Sequence, residues 1–325
     1  MNRSPVVVIG GGPTGIAAAT LLGHEGVEVL VLDRWAGVFP QPRAVHLDAE
    51  VMRILGRIGI AEEFAAISRQ AKGLRLQRPD GQVLAVFERA AKLGRDGYPE
   101  ANMFDQPVLE QLLRDNLAEL PSVQLRGRVE VNSIAQTGDQ GVVVELSDLV
   151  TGQKESISAA YVLGCDGANS VVRDNIGAHM TDLRFEQRWL VVDIDTDAEL
   201  GQWEGVHQVC DSRRAATYMQ VGRRRHRWEF QLLEHETQDT YGSLALLYQL
   251  MKPWLGHVEP EDLDLVRIAS YTFKARLADR WRDRRVFLLG DAAHLTPPFV
   301  GQGLCAGLRD AANLSWKLAA VMRGD

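Results

Sequence analysis

Three cysteines, Cys165, Cys210 and Cys305, are all that 325 residues contain. An odd number at wide spacing fits neither a disulfide framework nor a zinc site, and it points to a reducing cytoplasm. Long apolar runs are missing too. The run Pro5 to Ile9 stops at glycines, too short for a signal-peptide core. Nothing approaches the ~18 consecutive apolar residues of a membrane span, so a soluble protein with no membrane partner is expected. Positive charge is not in excess: the net charge of -7 argues against a nucleic-acid surface. The local exception is Arg223, Arg224, Arg225, His226 and Arg227. Internal repeats, low-complexity tracts and flexible linkers are absent. With 46% apolar and 24% charged residues, the chain can bury one large domain or two interleaved ones.

What the sequence does have begins at Val6, Val7, Val8 and Ile9, a β-branched run of the kind buried on both faces of a parallel sheet. It runs into Gly10-Gly11-Gly12-Pro13-Thr14-Gly15, then an alanine-rich helical stretch, then Val29 to Leu32 closed by Asp33. This is a βαβ unit, and Gly10, Gly12 and Gly15 match G-x-G-x-x-G. That spacing suits a tight turn, an open backbone facing a pyrophosphate, and close packing of helix on strand. The helix N-terminus offers free N–H groups and partial positive charge to phosphates. Asp33 is placed to accept from an adenosine ribose. A dinucleotide is expected; which one stays open on these residues alone.

Further along, Asp48 reads as the N-cap of a helix with Val51, Ile54, Leu55 and Ile58 on one face. Arg75 to Phe87 carries the turn signal Pro79-Asp80-Gly81 and reads as a hairpin. Gln106-Pro107-Val108-Leu109 opens another helix with proline in its first turn. Val142 to Leu146 and Tyr161 to Gly164 read as strands. Between Trp189 and about Tyr271 the texture is that of a mostly antiparallel sheet, with strands at Trp189 to Ile194, Thr217 to Val221 and Trp228 to Leu233. The arginine cluster falls between the last two. It reads as a solvated hairpin tip, or else as an attractor for a phosphorylated cofactor or anionic substrate. Val286 to Leu289 then re-enters the dinucleotide fold and meets "GDAAHLTPPFVGQGLCAG".

Three separated segments acquire meaning together: Gly10 to Gly15 with Asp33; Asp166-Gly167-Ala168-Asn169-Ser170-Val171-Val172-Arg173; and Gly290-Asp291 followed by Pro297-Pro298 and Gly301-Gln302-Gly303. In this order they resemble the fingerprints of the FAD-dependent aromatic hydroxylases, single-component flavoprotein monooxygenases of the p-hydroxybenzoate hydroxylase fold. Pro42-Arg43-Ala44, Gln106 to Glu110 and Arg227-Trp228-Glu229-Phe230 are most similar to the 3-(3-hydroxyphenyl)propionate hydroxylase branch. The resemblance implies an α/β, Rossmann-like FAD-binding domain with an inserted, mostly antiparallel β-sheet substrate domain. The FAD-binding parts are then residues 1–74, 99–180 and 273–325; a hairpin at 75–98 and the sheet at 181–272 form the substrate domain.

It also implies roles. Gly10, Gly12, Pro13, Thr14, Gly15, Asp33 and Arg34 serve the ADP half of FAD. Arg43 contacts the phosphates or ring, and Gln106 the ribitol or pyrophosphate region. Asp166, Gly167 and Arg173 organise the FAD site and the docking of NAD(P)H, or Arg173 simply holds its loop by an ion pair to Asp166. Gly290 and Asp291 meet the ribitol. Pro298, Gly301, Gln302, Gly303 and Leu304 bring a loop and a helix N-terminus to the flavin ring. No second glycine-rich dinucleotide motif and no C-x-x-C pair occurs, so the nicotinamide docks transiently and a disulfide reductase is disfavoured.

The implied reaction has two halves: NAD(P)H reduces the flavin, then O2 adds at C4a and the hydroperoxide oxygen is transferred to a phenolic ring. The phenol needs a hydrogen-bond acceptor in a dry pocket. The backbone carbonyl of Pro298 is a candidate by family position. His46 is a candidate for proton traffic, against plain packing; Asp48 is a helix cap, His294 a satisfied histidine and Cys305 a small buried residue. Tyr218, Gln220 and Trp228 are the candidates for substrate contact on the sheet. Members of the branch continue beyond the helix that holds Asn313, Trp316 and Leu318, so the region that closes the pocket and builds the subunit interface is expected to be missing; monomer and homodimer both stay open. The other readings are a related epoxidase, halogenase or reductase, and a non-catalytic FAD-binding module.

Overall fold

The computed structural model describes residues 4–41, 43–89, 93–94, 96–138, 141–298 and 301–325. The β-branched run forms the strand Val6–Ile9, completely buried. It lies inside a six-stranded sheet whose order is Arg282–Asp283, Val286–Leu288, Tyr161–Gly164, Val6–Ile9, Val29–Leu32, Val123–Arg126. All neighbours pair in parallel except at the Arg282–Asp283 edge. Alternation divides the strand's side chains between two cores. Val6 and Val8 pack under the helices α1 (Pro13–His24), α2 (Ala49–Ile58), α4 (Gln106–Ala118) and α7 (Gly303–Arg323). Val7 and Ile9 pack under a three-stranded antiparallel sheet made of Val129–Gln136, Val142–Asp148 and Lys154–Ala159. Two short helices, α3 (Ala61–Ile67) and α5 (Val171–Asn175), complete this half.

Local signals act as read at α2. The Asp48 carboxylate accepts from Val51 N at 3.0 Å, and Gly59 ends the helix at φ 100°, a conformation that glycine adopts without penalty. Helix α1 begins at Pro13.

The second half is an eight-stranded sheet, in the order His294–Leu295, Asp264–Ala278, Met180–Asp195, Arg225–Gln231, Ala216–Gln220, Val206–Val209, Gly73–Gln77, Val83–Glu88. The Gly73–Gln77 and Val83–Glu88 hairpin joins this sheet through a parallel pairing with Val206–Val209. Its two faces differ. Leu190, Val192, Tyr218, Trp228 and Phe230 point to a helix, α6 (Leu244–Leu255), that the strand-like texture of the region conceals. The helical signal is nonetheless present: Ser243 caps Leu246 N, and Leu247, Met251, Trp254 and Leu255 recur on one face despite Pro253. The opposite face turns to the dinucleotide half, where Met219 and Val221 pack on Met103, Ala101 and Val45.

Among the described residues no helix is long and apolar enough to cross a membrane.

Candidate cofactor and substrate cleft

The glycine-rich turn divides its glycines by task. A Cβ on Gly10, at φ 104°, would lie 2.3 Å from Cys165 O, and one on Gly15 only 1.9 Å from Gly10 O. These two permit backbone to pack on backbone. A Cβ on Gly12 would meet nothing within 4 Å, so this residue opens outward. No side chain caps α1, which leaves its first N–H groups for an anion. Beside the turn the buried Asp33 is already oriented: Arg114 Nη2 donates to its Oδ2 at 3.0 Å and to Gly11 O at 2.9 Å, while Trp35 N donates to Oδ1 at 3.1 Å. Arg34 stands in solvent, 3.6 Å from Glu130.

The second segment is a loop clamp. Asp166 accepts from Ser170 Oγ at 2.5 Å and Val172 N at 3.1 Å, and burial raises its carboxyl above the usual range. Gly167 takes φ 80°. Arg173 makes no pair with Asp166. Its guanidinium donates to Ala168 O at 3.0 Å and Ala292 O at 3.2 Å, tying this loop to the residue after Asp291. The expected internal ion pair is therefore replaced by a bridge between two segments, because two carbonyls lie within the reach of its fork.

In the third segment Asp310, on α7, accepts from Gly290 N at 2.9 Å and stands 2.7 Å from His294 Nε2, which satisfies that histidine. Thr14 packs under Gly290 and Gly307, so the first and last helices meet on small residues. Asp291 differs from its neighbours. Its side chain is open to solvent, yet enough protein surrounds it that desolvation raises its carboxyl, against the opposing charges of His294 and Arg43. Among the described residues its carboxylate accepts no hydrogen bond, the condition of a group on the floor of a cleft.

Pro298 O accepts from Gly301 N at 3.0 Å, closing a turn at φ 62° against His46. The carbonyl expected to face a phenol thus already holds a turn with one lone pair. Gln302 precedes α7, its Oε1 held by Arg309 Nη1 at 3.1 Å, while Gly303 and Leu304 form the uncapped first turn. Arg309 also pairs with Asp48 and Glu50. Cys305 is buried beneath.

Arg43 is half-exposed; its neighbour Pro42 lies outside the described residues. Gln106 is buried, its Oε1 accepting from Ala44 N at 2.5 Å and its Nε2 donating to Glu110 at 2.5 Å. Glu110 in turn lies 3.7 Å from Arg43. The Gln106 amide therefore braces the Arg43 segment, with both its groups engaged. His46 Nδ1 has no partner among the described residues, and burial lowers its pKa, so the ring is neutral.

The sheet holds the main departures. Tyr218 and Trp228 are cross-strand partners on the α6 face, fully enclosed, and Gln220 on that face donates to Arg223 O at 3.2 Å. A one-residue difference in parity decides this. The residues turned to the dinucleotide half are instead Arg227, Glu229 and Asp193. Arg225 to Arg227 do not form a solvated tip, since all three lie in the strand Arg225–Gln231. The Arg227 side chain is 2% exposed, bidentate to Asp193 at 2.7 and 3.0 Å, and donates to Arg43 O at 2.6 Å. Arg267 lies 3.8 Å from Asp193 and over the Tyr271 ring. Strand alternation could have found this face, since Arg227 and Glu229 flank Trp228.

The family model described as FAD binding domain matches residues 3–325. The chain is 37% identical over 319 residues to a probable NADH-specific resorcinol 4-hydroxylase of Rhodococcus jostii (strain RHA1), covering 98% of this chain and 59% of that protein. A 3-(3-hydroxy-phenyl)propionate/3-hydroxycinnamic acid hydroxylase of Burkholderia cenocepacia (strain HI2424) is 36% identical over 323 residues, with coverage of 99% and 58%. The crystal structure of p-nitrophenol 4-monooxygenase from Pseudomonas putida DLL-E4 superposes with a TM-score of 0.90 at 29% identity, over 99% of this chain and 81% of that one. The chain thus spans about three fifths of the length of the curated relatives it matches.

Proposed function

Since the chain belongs to the FAD binding domain family, we propose that it binds FAD and, with NAD(P)H and O2, hydroxylates a phenolic aromatic substrate. The observation that carries the reading is a set of groups left open among the described residues: the bare face of Gly12, the uncapped starts of α1 and α7, and the Asp291 carboxylate, which accepts no hydrogen bond. They suit a pyrophosphate, a ring with developing negative charge and a polyol, three of the parts of FAD. When bound, FAD supplies hydride acceptance and the activation of O2.

The chain's own residues have narrower tasks. The α1 N–H groups neutralise phosphate charge, and the Asp33 carboxylate, braced by Arg114, is fixed to accept from ribose. Asp291 accepts from ribitol hydroxyls. Arg173 and Gln106 keep the loops that carry Asp291 and Arg43 in register. The α7 N-terminus favours an anionic pyrimidine edge by about 0.3 to 2 kcal/mol. The eight-stranded sheet covers the cleft and excludes water. The free cysteines Cys165, Cys210 and Cys305 support a cytoplasmic location.

The test is steady-state NAD(P)H oxidation by the FAD-loaded protein, with and without a panel of phenols. Phenol-stimulated oxidation with hydroxylated product is the expected outcome. An FAD-holding protein that no phenol stimulates supports the second reading, a binding module without its own turnover.

A further inference from the structure

We propose that Glu229 is the group that accepts the hydrogen bond of the substrate's phenolic hydroxyl and takes its proton. The assignment rests on the phenol-hydroxylase reading above and adds a residue to it. Glu229 lies in the strand Arg225–Gln231, on the face that Arg227 turns toward Arg43. Its side chain is 15% exposed, reachable yet nearly enclosed. Among the described residues its carboxylate accepts no hydrogen bond. Arg227, 4.0 Å away, is already bidentate to Asp193, and Arg267, the other cation that acts on Glu229, lies 3.8 Å from the same Asp193. A nearly enclosed carboxylate with no protein donor keeps its acceptor sites open to a ligand that carries one.

The surroundings fit an aromatic ring. In register, Glu229 is flanked by Thr217 on one side and by Val191, then Ala269, on the other. These side chains are small beside the rings of the neighbouring positions. Trp189 and Tyr271, paired with each other, stand one step along on the same face and add aromatic surface, the Tyr271 ring carrying the Arg267 guanidinium over it. A phenol seated there presents the O–H donor that Glu229 lacks.

The step is a proton transfer. The phenolic O–H bond breaks, its electron pair stays on oxygen, and a new O–H bond forms on the Glu229 carboxylate. The ring becomes the richer nucleophile. Desolvation raises the Glu229 carboxyl, Asp193 adds to this, and Arg227 and Arg267 oppose it. A raised value narrows the gap to a phenol and makes the transfer less uphill.

The probe is 4-nitrophenol, whose phenolate is coloured, bound to the FAD-loaded protein and titrated by difference absorbance. In the parent protein the carboxylate holds the bound probe as the neutral phenol and disfavours a second anion. In Glu229→Gln the bound probe should ionise about tenfold more readily, a fall of about one pKa unit. Phenol-dependent turnover should drop about 100-fold or more, with FAD retention unchanged. Glu229→Asp should restore part of the parent titration. An unchanged titration of the bound probe in Glu229→Gln overturns the assignment whatever the turnover, and leaves the hydroxylase reading standing if phenols still stimulate NAD(P)H oxidation. Binding of the probe to neither protein, with no phenol stimulation, overturns that reading and the assignment with it.

Discussion

The dinucleotide cradle and the inner face of the eight-stranded sheet meet across one cleft, yet they are built on opposite principles. The cradle works by omission: Gly10 and Gly15 remove side chains so that backbone packs on backbone, and Gly12 leaves the way to a ligand clear. The sheet face works by addition, with Arg227 and Asp193 brought under cover and satisfied by one another, Arg267 beside them, and Glu229 left without a donor among the described residues. Omission at Gly10 and Gly15 tolerates almost no change, because a Cβ there has nowhere to go. Addition tolerates change if it is made in pairs.

The largest expected effect breaks the cradle. Gly15→Val places a Cβ where Gly10 O already stands, 1.9 Å away, and should yield protein without FAD or no folded protein at all. Gly12→Ala meets open space and should fold normally, with FAD affinity lowered about tenfold, near 1.4 kcal/mol. Fluorescence titration of apoprotein with FAD separates the two. If both variants behaved alike, the division of labour among the glycines would be wrong.

A smaller effect tests the sheet face. Arg227→Ala leaves Asp193 almost fully buried without its bidentate partner, with Arg267 3.8 Å away. Breaking a buried pair from one side typically destabilises by about 3 to 5 kcal/mol. The double replacement Arg227→Met with Asp193→Leu removes both charges at similar volume and should recover most of that loss, although the hydrogen bond to Arg43 O goes with it. Urea midpoints of Arg227→Met, Asp193→Leu and the double variant measure the coupling. A double variant no more stable than the sum of its singles would mean that the charges act separately.

The two regions were also unequally legible. Glycine turns, the strand Val6–Ile9, Asp48 at its cap and Gly59 past its helix are local facts, and a linear sequence records local facts. Asp33 could be placed, but not Arg114, which comes to it from another segment. The sheet face depends on parity. Reading Tyr218 and Trp228 as cleft residues follows from their chemistry, and only the register shows that they point to α6. The helix α6 was present as a period but masked by Pro253 and by strand-like neighbours. Long-range stitches such as Arg173 to Ala292 O leave no trace in any window of sequence.

The smallest effect sharpens the same comparison from behind the sheet. Tyr218 OH lies 3.0 Å from His226 Nδ1, and burial lowers His226 to about 4, so the ring is neutral near pH 7. A neutral ring accepts at Nδ1 only in the tautomer with its hydrogen on Nε2, which makes Tyr218 the donor. Tyr218→Phe deletes the hydroxyl, leaves the His226 acceptor without that bond, and should destabilise by about 1 kcal/mol. Phenol affinity and turnover should not move, because the strand backbone separates this hydrogen bond from the opposite face of the sheet. Denaturation and phenol titration of one variant therefore read the two faces independently. A tenfold rise in phenol KM with an unchanged urea midpoint would place Tyr218 in the substrate's surroundings and reverse the parity on which the roles of Arg227 and Glu229 depend.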